Sequence, residues 1–284
     1  LEKFGIEIIP FNLSTIVRQV NEALKNNKDE VQSQVNKIKS IADFSKISDQ
    51  AAEKIAALKY VLTNTIKEYN LQAVAFQCWD ELQFQLGICS CFAHALITDE
   101  GTPISCESDI HGAISSLMLQ AASMFDEPTF FADLTIRHPE NDNAELLWHC
   151  GAFPPSLSNN KNETKIGDHF VLPSHAPGTC NWQLKKGDIT VIRFDGSHGE
   201  YSLFCGEGKA IDGPYTLGTY VYLEVNDWPL WEEKIIYGPY IHHTSCIFGH
   251  YASALYEATR YLEWVNFDPA EPGIEEIKKN LRTN

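Results

Sequence analysis

The hydrophobic rhythm of this chain changes at Leu71, and that change limits the folds open to it. Before it, apolar residues recur every three or four positions. Ile16, Val17, Val20, Ala23 and Leu24 form one stripe, and Val31, Val35, Ile38 and Ile41 continue it, with Lys and Glu between them. A third stripe, Ile55, Leu58, Leu62 and Ile66, starts behind the cap candidates Ser48 and Asp49 and runs to about Tyr69. A short β-prone segment at 7–11, stopped by Pro10, precedes all three. Residues 1–70 thus read as charged amphipathic helices without visible chemistry.

After Leu71 the apolar runs take strand length. LQAVAF is followed by a helical window at about 81–95, a turn at Asp99-Glu100-Gly101, and a short strand at 104–106. A helix carrying Ile114, Leu117, Met118 and Ala121 comes next, then the buried strand candidate TFFADLTI behind Pro128, and one more at 146–150. Strand, helix, strand, helix, strand is the pattern of a parallel α/β layer. From 151 to 180 Pro, Ser, Asn and Gly predict loop. Short β runs at 189–194, 201–205 and 219–225, parted by Gly-containing turns, predict an antiparallel sheet or small barrel. A last long helix is expected at about 251–264. The expected fold is α/β: a parallel α/β layer followed by an antiparallel β-barrel. Its three parts are a helical segment over 1–70, an α/β region over 71–160, and a barrel with a C-terminal helix over 161–284.

Charge narrows the partners. With Lys+Arg 22 against Asp+Glu 38, the formal net charge is -16. A duplex or anionic lipid surface needs a cationic face, so neither nucleic acid nor membrane is an expected partner. No apolar run approaches the ~20 residues of a membrane span. The eight cysteines, Cys78, Cys89, Cys91, Cys106, Cys150, Cys180, Cys205 and Cys246, form no C-x-x-C pair, which argues against a structural zinc module. Most sit in apolar stretches and read as buried thiols of a cytoplasmic protein. No basic segment followed by an apolar run opens the chain, so no signal peptide is visible. The first residue is Leu, so the sequence reads as a fragment.

Three clusters carry candidate chemistry. Glu107 and Asp109 lie between a predicted strand and the next helix, where α/β sheets bind ligands and a helix N-terminus favours anions. The competing reading of Asp109 is a simple helix cap. Asp133 lies inside the apolar run FFADL, where a carboxylate is costly unless paired, hydrogen-bonded or metal-bound. If the two strands are neighbours, Glu107 and Asp133 converge, and two carboxylates with open positions suit a hard divalent ion such as Mn2+ or Mg2+. His242 and His243 form the third cluster, with His250 seven residues on. Neighbours on a strand point to opposite faces, so one of the pair is expected to enter a site. A polar surface pair is the alternative. His149 ends an apolar run and reads as a half-buried histidine or a site residue, while His94 and His111 read as structural.

Other templates fail. There is no G-x-S-x-G, no G-x-x-x-x-G-K-[ST] and no H-E-x-x-H. Gly206-Glu207-Gly208 lacks a third glycine and reads as a turn. Trp79, Trp148, Trp182 and Trp228 have the shape to stack on sugars, but core packing is the default for each.

The runs CESDIHGAISSLMLQ, PTFFADLTIRH, WHCGAFP and GPYIHHTSCIFGH together resemble the C-terminal, catalytic half of the L-fucose isomerase/L-arabinose isomerase-like family. Each motif alone is weak; their order and spacing carry the likeness. The resemblance implies a metal-dependent aldose–ketose sugar isomerase working through a cis-enediolate, with Mn2+ or another divalent cation such as Mg2+ as cofactor. It implies Glu107, Asp133 and His243 as metal ligands. Glu107 and Asp133 would also carry the proton, and His242 would replace His243 if the register slips by one. Asp109, Trp148, His149 and His242 are the implied substrate contacts, and His149 is also a candidate ligand. A sugar substrate and a homo-oligomer, trimeric or hexameric, follow from the same likeness. The family's active sites lie between subunits, and its members carry two α/β domains before this region. The competing classes are a non-catalytic sugar-binding or regulatory relative, and a metal-dependent hydrolase with the same ligands.

Overall fold

The computed structural model describes residues 2–172 and 174–283. Three helices open it: α1 (Leu13–Asn26), α2 (Lys28–Ile41) and α3 (Asp49–Glu68). Ser48 caps α3 as expected, its side chain accepting from the Ala51 N–H. Ile55 and Leu58 bury one face of α3 in the main core, with Val20 of α1 and Ile38 of α2.

The parallel layer is small. β1 (Val74–Ala75) pairs only with β2 (Ile104–Ser105). Between them the expected single helix divides into α4 (Glu81–Leu86) and α5 (Cys91–Asp99). Gly87 ends α4 at φ 68, a left-handed stop that glycine adopts without steric penalty. α6 (Ile110–Ala122) follows β2.

β3 (Phe130–His138) corrects the reading of TFFADLTI as a parallel strand. It pairs antiparallel with β4 (Asn141–His149). A fully buried run looks alike in either sheet type, because alternation is lost when both faces are covered. The stretch expected as loop holds β5 (Lys165–Asp168) and β6 (Pro177–Gln183). A long hairpin, β7 (Gly187–Ser197) with β8 (Glu200–Ile211), precedes β9 (Thr219–Glu224) and α7 (Trp228–Tyr237). The Gly-Glu-Gly run lies inside β8, not in a turn: an added Cβ on Gly206 would meet the Trp231 ring at 2.2 Å. β10 (His243–Phe248) and α8 (Ala252–Thr259) come next. The long terminal helix ends early, giving way to β11 (Val265–Pro269) and α9 (Ile274–Thr283).

Six strands close an antiparallel barrel in the order β8-β7-β10-β3-β4-β9, and β9 returns to pair with β8. Outside it, β11 runs parallel to β8 and β6 parallel to β9. Alternate residues divide between two cores, as a closed sheet requires. Phe130, Ala132, Leu147, Val191 and Cys246 join the main core. Ile192, Phe194, Leu203 and Ile247 face a second one with Leu119 of α6 and Leu255 of α8. Helix α6 lies across β10: Ser245 Oγ donates to the Gly112 carbonyl at 3.0 Å and meets Ser116 Oγ at 2.9 Å. All eight cysteines are free thiols. No helix of the described residues is long and apolar enough to cross a membrane.

Candidate functional site

The barrel register brings the candidate residues together. His243 stands opposite Asp133, and Asp133 opposite Trp148, in one row across β10, β3 and β4. Directly paired residues of antiparallel strands present their side chains on the same face. The loop from β2 to α6 adds Glu107 from above. That loop is tight. Glu107 and Ser108 both have positive φ, 60 and 57, which side-chain-bearing residues adopt only where surroundings enforce it. Here the Ser108 N–H donates to the Phe76 carbonyl at 3.1 Å, and Ser105 Oγ donates to the Asp109 carbonyl at 2.6 Å.

His243 is the centre of the group. Its Nε2 lies 3.5 Å from Glu107 Oε2 and 3.7 Å from Asp133 Oδ1, and its Nδ1 3.0 Å from Asp109 Oδ2. The two Nε2 distances are long for hydrogen bonds. His243 Nε2 and Asp133 Oδ1 are both buried without a hydrogen-bond partner. Burial opposes charge on His243, but the Asp109 hydrogen bond and the Glu107 and Asp133 carboxylates beside Nε2 outweigh it, raising its pKa to about 9. Glu107 is held below the usual carboxylate range, first by its contact with the His243 ring.

His242 corrects the opposite-faces expectation. It precedes the first residue of β10, so strand alternation does not govern it, and its Nε2 also reaches Asp133 Oδ1, at 3.9 Å. Ligand atoms of Asp133, His242 and His243 all lie within 4.8 Å of one another, while the His242 side chain is 60% exposed.

Asp109 does cap α6, its Oδ1 accepting from the Gly112 N–H at 2.8 Å. Its Oδ2 meets His243 and the Arg193 guanidinium. Both oxygens are therefore engaged within the protein. Burial would raise its pKa; hydrogen bonds from His243 and Arg193, the Arg193 charge and the Gly112 N–H hold it well below the usual range instead.

His149 is buried, and its Nδ1 accepts from the Cys150 N–H at 2.9 Å. The neutral ring, favoured because burial lowers its pKa, therefore carries its proton on Nε2, and that atom has no partner. A ring so fixed donates to an oxygen; it offers no Nε2 lone pair to a cation. Trp148 stacks beside it at 6.4 Å and 8°, with its Nε1 donating to the Leu217 carbonyl at 2.7 Å.

Two site residues escaped the sequence reading. Trp79, assigned to packing, is 44% exposed and donates Nε1–H to Glu107 Oε1 at 3.1 Å. Arg193 was not singled out, though a lone cation inside the apolar run ITVIRF is the same kind of signal that marked Asp133.

Residues 147–267 match the family described as L-fucose isomerase, C-terminal domain. The chain carries the C-terminal domain of the L-fucose isomerase family. Among curated proteins, the sulfoquinovose isomerase of Priestia aryabhattai is 31% identical over 222 residues, covering 76% of this chain and 48% of the relative. That of Alkalicoccus urumqiensis is 33% identical over 167 residues, covering 58% of this chain and 37% of the relative. The chain thus spans about half the length of the curated relatives it matches, or less.

The site fits a hard divalent cation by its own chemistry. It offers two carboxylates and one imidazole. Donors arranged about an ion at about 2.1 Å stand roughly 3 Å apart, slightly closer than the 3.5 and 3.7 Å that separate His243 Nε2 from Glu107 and Asp133. The two buried atoms without partners, His243 Nε2 and Asp133 Oδ1, are donors that such an ion satisfies. His243 also shows the supporting contact expected of a ligand histidine, its other ring nitrogen facing a carboxylate.

Proposed function

We infer that this chain is the metal-binding catalytic portion of an aldose–ketose sugar isomerase. The observation that carries this reading is the convergence of Glu107, Asp133 and His243, with unpartnered ligand atoms, in a chain bearing the L-fucose isomerase C-terminal domain. Glu107, Asp133 and His243 are the residues that would hold the cation, Mn2+ or Mg2+. When bound, it supplies Lewis-acid stabilisation to the negative charge that develops on the two adjacent sugar oxygens.

The chain's own residues do the rest. Isomerisation removes a proton from C2 and returns one to C1, while the O2 proton passes to O1. Glu107 and Asp133 carry these protons as carboxylate base and carboxylic acid in turn. Trp79 orients Glu107 through its indole N–H. His149 donates its free Nε2–H to a sugar oxygen, Trp148 forms a wall beside it, and His242 lies at the open rim. The names of the relatives make sulfoquinovose the first aldose to test, with L-fucose and L-arabinose beside it. A cytoplasmic trimer or hexamer completes the proposal.

The test is aldose–ketose exchange with each sugar, followed by deuterium wash-in at C2 in Mn2+-supplemented buffer. Glu107→Gln and Asp133→Asn are expected to lose exchange by about 10²-fold or more while still melting cooperatively. Wild-type exchange in both folded variants removes the reading.

A further inference from the structure

Arg193 is 3% exposed in β7, between the apolar neighbours Ile192 and Phe194. A guanidinium there is tolerated only if its donors are paired. Nε donates to Asp195 Oδ2 at 3.0 Å, Nη2 lies 2.9 Å from the same oxygen, and Nη1 donates to Asp109 Oδ2. Asp195 is itself fixed, by the Gly196 N–H at 2.9 Å and by His111 Nδ1 at 2.9 Å. Asp109 is fixed from its other side by the Gly112 N–H. Among the described residues, the other side-chain partner of Asp109 is His243 Nδ1 at 3.0 Å. A carboxylate pinned at both oxygens can only accept, so the ring nitrogen facing it carries a proton.

The geometry points to Arg193 as a positioning residue: through Asp109 it holds His243 in the Nδ1–H form, with Nε2 turned toward Glu107 and Asp133. The use of Nε2 as a ligand rests on the cation site proposed above; the proton on Nδ1 does not. The forked guanidinium matters because it reaches Asp109 and Asp195 at once. A lysine at 193 offers one compact charge and cannot span both carboxylates in that planar arrangement. Without the fork Asp109 is free to rotate about its cap, and the imidazole loses its fixed orientation.

The experiment uses the whole 284-residue chain, titrated with MnCl2 in a calorimeter, for wild type, Arg193→Met, Arg193→Lys and Asp109→Asn. Each protein is first shown to melt cooperatively. Asp109→Asn keeps a side-chain oxygen for the Gly112 N–H, so it carries the test if Arg193→Met does not fold. The Mn2+ dissociation constant is expected to rise about 10- to 100-fold in Asp109→Asn and Arg193→Met, with Arg193→Lys between them and wild type. The second readout is the His243 Nδ1–H resonance in the metal-free protein. It is expected to be protected from solvent exchange in wild type and lost in Asp109→Asn. A folded Asp109→Asn that binds Mn2+ as tightly as wild type and keeps that resonance overturns the inference. If wild type takes up no Mn2+ but shows the protected resonance, the cation reading fails and the positioning role stands. Absence of the resonance from wild type refutes the positioning role directly.

Discussion

Glu145 gives the sharpest pH prediction. It is 8% exposed on β4, opposite Arg137 of β3. Arg137 turns instead to Glu232 of α7, with which it forms an ion pair. Burial first, and then the Glu232 charge, push the Glu145 pKa from 4.5 to about 7, with Arg137 opposing. The folded protein therefore holds this proton more tightly than the unfolded chain. Its contribution to stability is full below about pH 4.5 and is lost progressively as pH rises to about 7; above that the loss is constant. Each pKa unit corresponds to about 1.4 kcal/mol, so the upper bound is about 3 kcal/mol. Relaxation and water entry around the ionised group reduce the expected value to about 1–3 kcal/mol. Glu145→Gln removes the ionisation and keeps the shape. At pH 8 the variant is expected to melt about 3–8 °C higher than wild type; at pH 4.5 the two should agree within about 1 °C. Thermal melts followed by circular dichroism at both pH values make the comparison. An equal shift at pH 4.5 and pH 8 refutes the argument, because a packing effect does not titrate.

Gly112→Ala is expected to destabilise the protein by about 1–3 kcal/mol in denaturant unfolding, because the new methyl would sit 2.3 Å from the Phe131 ring and 2.8 Å from Asp109 Oδ2. Trp79→Phe keeps a ring but drops the hydrogen bond to Glu107; turnover should fall about 3- to 10-fold with little change in melting temperature, read from steady-state kinetics beside a melt. Thiol labelling with a chromogenic disulfide reagent should be slow in the native protein and reach all eight cysteines in denaturant, since all but Cys150 are buried and burial raises the thiol pKa of Cys89 to about 12.

Much of the site was legible because it breaks local rules. Asp133 in an apolar strand and Glu107 ahead of a helix cap are conspicuous in one dimension, and the structure brings both to His243. The helices of the first seventy residues were legible from their period and from Ser48. Strand direction was not. The run around Asp133 is buried on both faces, and such a run carries no mark of whether its neighbours run with it or against it. Strands β5 and β6 were hidden for the opposite reason: their residues, such as Pro177-Gly178 and Asn181, are turn formers that tertiary pairing overrides. The roles of Asp109 and His149 depend on which atoms they bond. Asp109 reads as a cap or a ligand until its second oxygen is found between Arg193 and His243. His149 reads as a half-buried histidine or a site residue until its Nδ1 is found accepting a backbone N–H.

Charge accounting links these assignments. Among the described residues the site gathers three carboxylates, Glu107, Asp109 and Asp133, and one permanently charged cation, Arg193. Arg193 faces Asp109 and Asp195, so its charge is already shared between two partners. No lysine or arginine of the described residues forms an ion pair with Glu107 or Asp133. Without an ion, and against burial, the two carboxylates help raise the His243 pKa and draw a proton onto the ring; a divalent cation would take that proton's place and balance both carboxylates at once. A monovalent ion would leave one carboxylate uncompensated. A softer site would show thiolate donors, yet hydrogen bonding with Cys78 and then burial keep the Cys106 thiol protonated, and burial does the same for Cys150. The donor set therefore matches the hard, doubly charged ion of the proposed function.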